Sequence, residues 1–273
     1  MTRGALTIRN AVKNYDAAGT RVVALDRCSL DIAAGEICAV VGPSGCGKTT
    51  LLNAVAGFHP LDGGEIRLDG RLLSGPTQPK APIGADRVVV FQNGSLFPWK
   101  TVLENVAFGP VVQGRLSRRQ SLDKGRQALA EAGLEGYEDA YPGQTSSGVR
   151  RRIEIVRALM NDPAVLLLDE PYRALDALTK SMMHESLLDV YARNQVTIFF
   201  ITHDLEEAIF LARRVVVMSS RPGRVKAVLD VDLPYPRRHD VVTSARYRQL
   251  VGDVTGAIHE EARKAFARGE REN

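Results

Sequence analysis

The chain has 273 residues, 44% hydrophobic and 25% charged, which suits one large globular domain and excludes a disordered, collagen-like or heptad-repeat protein. Its 36 Lys and Arg against 32 Asp and Glu leave a net charge of +4, with the basic residues scattered, and that balance does not point to nucleic acid. Cys28, Cys38 and Cys46 form an odd, sparse set without metal-ligand spacing, which argues against a disulfide framework and a zinc site and fits a reducing cytoplasm.

Short β-branched runs predict strands at 6–10, 37–41, 65–68, 88–91, 165–169, 196–202 and 215–218. Helical patterns separate most of the later ones, so an α/β domain is expected. After Val41, the residues Leu51, Val55 and Phe58 recur at i, i+4 and i+7, one face of a helix. Residues from about 96 to 150 break the alternation and read as a helical insertion, with a helix over 116–132 carrying Leu122, Leu129 and Ala132 on one side. Asn161-Asp162-Pro163 ends the next helix, because proline disfavours helical geometry in the residue before it. Pro234-Tyr235-Pro236 reads as an extended linker, and Tyr247, Leu250, Val251, Val254 and Ile258 then recur at the spacing of an amphipathic docking helix. The longest apolar runs, such as 196–201, fall far short of the roughly 20 residues that span a bilayer. The first seven residues lack the apolar core of a secretory signal. Any membrane role is therefore expected to be peripheral, and no repeat of solenoid or propeller period is present.

Gly42-Pro43-Ser44-Gly45-Cys46-Gly47-Lys48-Thr49 matches G-x-x-x-x-G-K-[ST] between an apolar strand and a helix, the context that phosphate-binding loop requires. Glycines let the backbone close around phosphate oxygens, and successive N–H groups with the helix N-terminus supply positive potential. Lys48 adds a point charge near the β and γ phosphates, and Thr49 offers a hydroxyl to Mg²⁺. A glycine turn with a solvated lysine is the plainer alternative. The run 165–168 is a buried strand that ends in Asp169-Glu170. Asp169 at the strand tip suits the Mg²⁺ shell, and Glu170 suits a base that polarises a water for in-line attack on the γ-phosphate.

On these motifs the chain resembles the ATP-binding cassette family over most of residues 5–235. The resemblance implies an α/β P-loop NTPase fold with an antiparallel β subdomain, an inserted helical subdomain and a helical tail: an ATPase domain over 1–235 and a tail over 236–273. It places Tyr15 where an aromatic stacks on adenine, Gln92 where a glutamine senses Mg²⁺ and water, and Ala174-Leu175-Asp176 at the subunit-contact loop. Thr50 completes the phosphate loop, and His203 matches the switch histidine. Taken alone, Tyr15 reads as a surface aromatic and His203 as a strand-end histidine. The segment from Phe91 to Gly109, with Leu96-Phe97-Pro98-Trp99, is similar to the importer branch that handles taurine, nitrate and alkanesulfonates, as are residues 219–225 and the tail. In a plain globular reading Trp99 would be core; in the family its region lies near the groove for the permease's coupling helix.

The chain departs from the family at two places. Where Leu-Ser-Gly-Gly-Gln is usual it has Thr145-Ser146-Ser147-Gly148-Val149. Ser146 still offers a hydroxyl and Gly148 still permits close approach of ATP from the opposite subunit, but Ser147 brings a Cβ that would be strained by roughly 1 kcal/mol were the backbone at positive φ. Pro171-Tyr172-Arg173 replaces Pro-Phe-Gly or Pro-Thr-Ser, and Arg173 reads equally as a phosphate or partner contact and as a solvated side chain. Arg150-Arg151-Arg152 reads as a solvated helix face. Cys46, at a helix N-terminus, is expected to be a low-pKa, alkylation-sensitive thiol or else a small packed residue.

These readings lead to an ATPase subunit that uses ATP and Mg²⁺ to energise import of taurine-, nitrate- or sulfonate-like anions. Two copies, or this chain with an unlike ATPase subunit, would sandwich two ATP molecules and dock on a two-subunit permease at the cytoplasmic face, served indirectly by a periplasmic binding protein. Lys48, Glu170 and His203 are the catalytic candidates; Tyr15, residues 42–50, Gln92, Ser146, Ser147, Gly148 and Asp176 bind nucleotide; Thr49, Gln92 and Asp169 hold the metal. The alternative is a degenerate or regulatory subunit that binds ATP with little turnover.

Overall fold

The computed structural model describes residues 3–17, 19–173 and 175–267. The chain forms two compact units, one of Met1–Ile83 with Gln195–Asn273 and one of Gly84–Asn194. The first begins with β1 (Leu6–Ala17), β2 (Thr20–Ile32), β3 (Ile37–Val41), α1 (Lys48–Ala56), β4 (Gly63–Leu68) and β5 (Arg71–Ser74). The second contains β6 (Arg87–Val90), α2 (Val102–Val112), α3 (Arg118–Glu131), α4 (Ser147–Leu159), β7 (Val165–Asp169) and α5 (Ala177–Asn194). The chain then returns to the first through β8 (Thr197–Ile201), α6 (Leu205–Leu211), β9 (Arg214–Met218), β10 (Val225–Asp230) and α7 (Ala245–Ala267).

Two sheets organise the first unit. One is antiparallel, in the order β2-β1-β4-β5. In the other, β3 lies between β8 and β9 and runs parallel to both, and β10 closes the edge antiparallel to β9. Every residue of β3 is buried, as are those of β8, which explains why both read as unbroken apolar runs rather than alternating ones. Residues 37–41 and 165–169 form strands at the predicted bounds. The 13-residue β2 was not predicted. Its pairing with β1 is shifted three times, and Asn10 and Arg27 take positive φ of 47° and 50°, so bulges interrupt the alternation that a strand pattern needs.

The second unit pairs β6 with β7 in parallel and surrounds a helical core. Val102, Leu103 and Val106 of α2, Leu129 of α3 and Ile153, Val156 and Met160 at α4 are buried together. Capping boxes start α2 at Thr101 with Glu104, and α3 at Ser117 with Gln120. In α7, Tyr247, Leu250 and Val254 are buried, and the helix packs on α6 and β9, the stripe that its spacing predicted. No helix among the described residues is long and apolar enough to cross a membrane.

Candidate functional site

The phosphate loop follows β3 in the first unit. Gly47 has φ +99° and precedes α1; a Cβ there would lie 2.7 Å from the Ala24 carbonyl, so the turn onto the helix admits no side chain. Lys48 is buried, and its Nζ donates to the carbonyls of Gly42 at 2.8 Å and Pro43 at 2.9 Å. The ammonium thus spans the loop from beneath, while Ser44, Gly45 and Thr49 are exposed and Thr50 is half-buried. A helix N-terminus turns its first N–H groups outward along the axis, so loop and helix end together suit an anion.

Of the two readings of Cys46, the structure has the small packed residue and overturns the low-pKa thiol. It is 1% exposed, and burial raises its thiol pKa against the pull of Lys48. The helix terminus does not activate it, because the thiolate would have to be desolvated. Burial also pushes Cys28 to about 11 and Cys38 to about 12. Native protein is therefore expected to take up essentially no N-ethylmaleimide while unfolded protein labels at all three cysteines; rapid native labelling at Cys46 would contradict this.

Two more predicted residues belong to this unit. His203 is exposed in the turn between β8 and α6. Three hydrogen bonds tie that turn: Asp204 N–H donates to Thr202 Oγ1 at 3.0 Å, Glu207 N–H donates to Asp204 at 3.1 Å, and the Thr202 hydroxyl donates to buried Glu207. Tyr15 is 36% exposed, edge-on to His59 at 6.1 Å, with the Lys13 ammonium 5.4 Å from its ring. An exposed aromatic face of this kind can accept a purine.

In the second unit, Asp169 ends β7 and Glu170 follows at φ +44°, so consecutive carboxylates diverge. Both are half-buried. Arg173 Nη1 donates to Glu170 Oε2 at 3.3 Å, and Arg173 is itself exposed. Ala174 lies outside the described residues. Asp176 caps α5, accepting from Thr179 N–H at 2.9 Å and from its hydroxyl at 2.6 Å, and these bonds hold its carboxyl below the usual range.

The altered loop 145–149 folds without left-handed strain at Ser147. Ser147 is the first residue of α4 and is not at positive φ, so its Cβ carries no left-handed penalty. Ser146 caps that helix, accepting from Val149 N–H at 3.3 Å. Buried Thr145 donates its hydroxyl to the Pro142 carbonyl at 2.9 Å, and Val149 packs against the helical core. Gly148 is the constrained position, since a Cβ would lie 2.7 Å from Thr179 Cγ2. A groove of about 360 Å³ gathers Gln92, Asn93, Ser147, Arg150, Pro171 and Leu175 along its walls, so the Gln92 loop and the start of α4 share one surface.

Arg151 overturns the reading of 150–152 as a solvated face. It is buried, donates to the carbonyls of Phe91 at 2.7 Å and Gln92 at 2.8 Å, and pairs with buried Glu154 at 2.7 Å. Glu154 accepts the Ser95 N–H, Arg157 donates to the Ser95 carbonyl at 2.8 Å, and buried Asn105 binds the Phe97 N–H at 2.7 Å and three carbonyls. Sequence reasoning missed these four residues. Together they fix the segment 91–101 and with it Gln92. Trp99 is not core: it is 71% exposed beside Phe97, which also meets Phe108 edge-on at 4.9 Å.

Comparison with known proteins accords with this geometry. Residues 25–173 match the ABC transporter family. A taurine import ATP-binding protein of Rhizobium johnstonii is 43% identical over 248 residues, covering 88% of this chain and 91% of that protein. A nitrate import ATP-binding protein of Synechocystis is 46% identical over 213 residues, covering 78% and 77%. The dimeric post-hydrolysis structure of an ATP-binding cassette bound to ADP and Pi superimposes with a TM-score of 0.68 at 27% identity, over 84% of this chain and all of that one. The chain therefore belongs to the ABC transporter family, as an ATPase of the branch in which those taurine and nitrate import proteins fall.

Proposed function

We propose that this chain is the ATP-hydrolysing subunit of an importer for small anions of the taurine, nitrate or sulfonate kind, acting as a pair of cassettes that enclose two ATP molecules. The observation that carries the reading is the buried Lys48 held across a phosphate loop at a helix N-terminus, in a chain that also ends a buried strand in Asp169-Glu170. The loop N–H groups and Lys48 bind and neutralise the β and γ phosphates. Glu170 accepts a proton from the attacking water as its oxygen bonds to the γ-phosphorus and the bond to the leaving ADP oxygen breaks. His203 orients the γ-phosphate, and Tyr15 stacks on the base. The hydroxyl of Thr49, the amide oxygen of Gln92 and the carboxylate of Asp169 are hard oxygen donors of the kind Mg²⁺ takes and would hold it; the charge it would supply there would offset that developing on the phosphate. Ser146, Ser147 and Gly148 close on the nucleotide held by the other subunit.

The exposed Trp99, on a segment fixed by Arg151, Glu154, Arg157 and Asn105, suits the contact to a two-subunit permease at the cytoplasmic membrane face, which a periplasmic binding protein supplies. The unstrained fold of 145–149 favours full turnover over the degenerate alternative. A Glu170→Gln variant is expected to bind Mg²⁺-ATP and shift from monomer to dimer in size-exclusion chromatography with light scattering. A variant that stays monomeric while saturated with ATP would overturn the proposal.

A further inference from the structure

The segment between β9 and β10, Ser219-Ser220-Arg221-Pro222-Gly223-Arg224, lies against the phosphate loop. A Cβ at Gly223 would sit 2.1 Å from the carbonyl oxygen of Cys46, so the two backbones touch with no room for a side chain. Gly223 is bound on its other side to β2: its N–H donates to the Ala24 carbonyl at 3.0 Å, and its carbonyl accepts from Asp26 N–H at 3.1 Å. Arg221 extends over the crest of the phosphate loop and donates to the Gly45 carbonyl at 3.4 Å. Within the segment, the Ser219 hydroxyl donates to the Pro222 carbonyl and accepts from Arg224 N–H, so the segment is bonded to itself as well as to its neighbours.

The remaining anchor comes from the C-terminal helix. Glu261 of α7 is 3% exposed, and its Oε2 accepts from the Ser220 N–H at 2.9 Å and the Ser220 hydroxyl at 3.3 Å. Its Oε1 meets Lys264 at 2.9 Å and Lys226 of β10 at 3.1 Å. Burial alone would raise this carboxyl, but Lys264, the Ser220 N–H and Lys226 outweigh it and hold it down to about 2, so it is charged throughout the neutral range. A buried carboxylate with two cations and a backbone N–H is a fixed joint, because losing any partner leaves charge unsatisfied in the interior. The neighbouring Glu260 binds the same two lysines but is 60% exposed and does not touch the segment.

We propose that Glu261 is a positioning residue for the nucleotide site: by fixing Ser220 it holds Arg221 and Gly223 against the phosphate loop, so that the C-terminal helix sets nucleotide affinity. The inference rests on the reading of residues 42–49 as the nucleotide site. A loop held in its binding conformation binds more tightly than one that must be ordered at each encounter.

The test uses the full chain and a fluorescent ATP analogue, with steady-state hydrolysis and thermal melting alongside. Glu261→Gln is expected to raise the nucleotide Kd and the KM for ATP by about 5- to 30-fold with kcat within about 2-fold of the parent. Glu261→Asp should recover part of the loss, and Glu260→Gln should stay within about 2-fold of the parent. Arg221→Ala should weaken binding in the same direction, and the double variant should bind no worse than the weaker single one, as members of one joint do. Should Glu261→Gln prove poorly folded, Glu261→Asp with Arg221→Ala carries the comparison. A lowered melting temperature with unchanged Kd would overturn the proposal and leave Glu261 a stability residue. Lys48→Ala separates the two levels: if it loses nucleotide while Glu261→Gln and Arg221→Ala do not, this proposal alone fails, and if it binds normally the site reading fails.

Discussion

Lys48→Ala is expected to weaken nucleotide binding by about two to three orders of magnitude and to reduce hydrolysis to background. Two effects combine. The ammonium is the cation that the phosphate loop itself holds in its buried floor, and a charge-assisted contact with phosphate in such surroundings is worth about 3–4 kcal/mol. The same ammonium donates to the Gly42 and Pro43 carbonyls, so its removal also unties the loop that aims the backbone N–H groups. Lys48→Arg should therefore bind better than Lys48→Ala yet still hydrolyse poorly, because the longer planar fork cannot bond both carbonyls and reach phosphate in the same way. Titration with a fluorescent ATP analogue measures the first quantity and phosphate release the second. Near-parental affinity in Lys48→Ala would contradict the assignment.

The second large effect is on stability. Arg237 is 1% exposed and donates to five carbonyls: Ile209 at 2.8 Å, Phe210 at 3.0 Å, Ala212 at 2.8 Å, Val231 at 3.3 Å and Leu233 at 3.2 Å. Ile209 and Phe210 belong to the last turn of α6 and Ala212 is its C-cap, where carbonyls lack intrahelical donors. Its guanidinium also stacks on Tyr235 at 4.2 Å. Arg237→Ala leaves those acceptors unsatisfied around a cavity and should cost about 3–5 kcal/mol, lowering the melting temperature by roughly 6–15 °C for a chain of this size. Arg237→Lys should recover only part, since three donors cannot serve five acceptors. Thermal and urea unfolding measure both, and a shift below about 2 °C for Arg237→Ala would contradict the clamp.

The contrast between Lys48 and Arg237 shows what was legible in the sequence. Residues 37–49 carry their own context: an apolar run, glycines at turning points and a Lys-Thr pair at a helix start. Strand, loop and helix could be read together because each is a local requirement of the same backbone path. Asp169-Glu170 is legible for the same reason, as charge placed at the end of a buried run. Arg237 follows a proline-rich stretch and resembles any linker arginine, since its five acceptors come from residues 4 to 28 positions away. Arg151 and Glu154 form an i,i+3 pair that on an isolated helix would be solvent-facing, and only the packing of 91–101 onto α4 buries it. For Cys46 the sequence left two readings open, and packing decided for the buried one. Its place at a helix terminus is local and was visible, while the desolvation that decides its pKa depends on packing. Local geometry is thus written in short patterns, whereas burial of polar groups is a tertiary property that no short pattern contains.

ATP hydrolysis by this chain is proposed to run through Glu170 as the general base. Steady-state Mg²⁺-ATP hydrolysis by the purified protein, minus the rate of the Glu170→Gln variant, tests this role. A Glu170-dependent rate at least about 100-fold above the variant's is expected, as removal of a general base requires. No difference between the two proteins, with ATP bound to both, would contradict it.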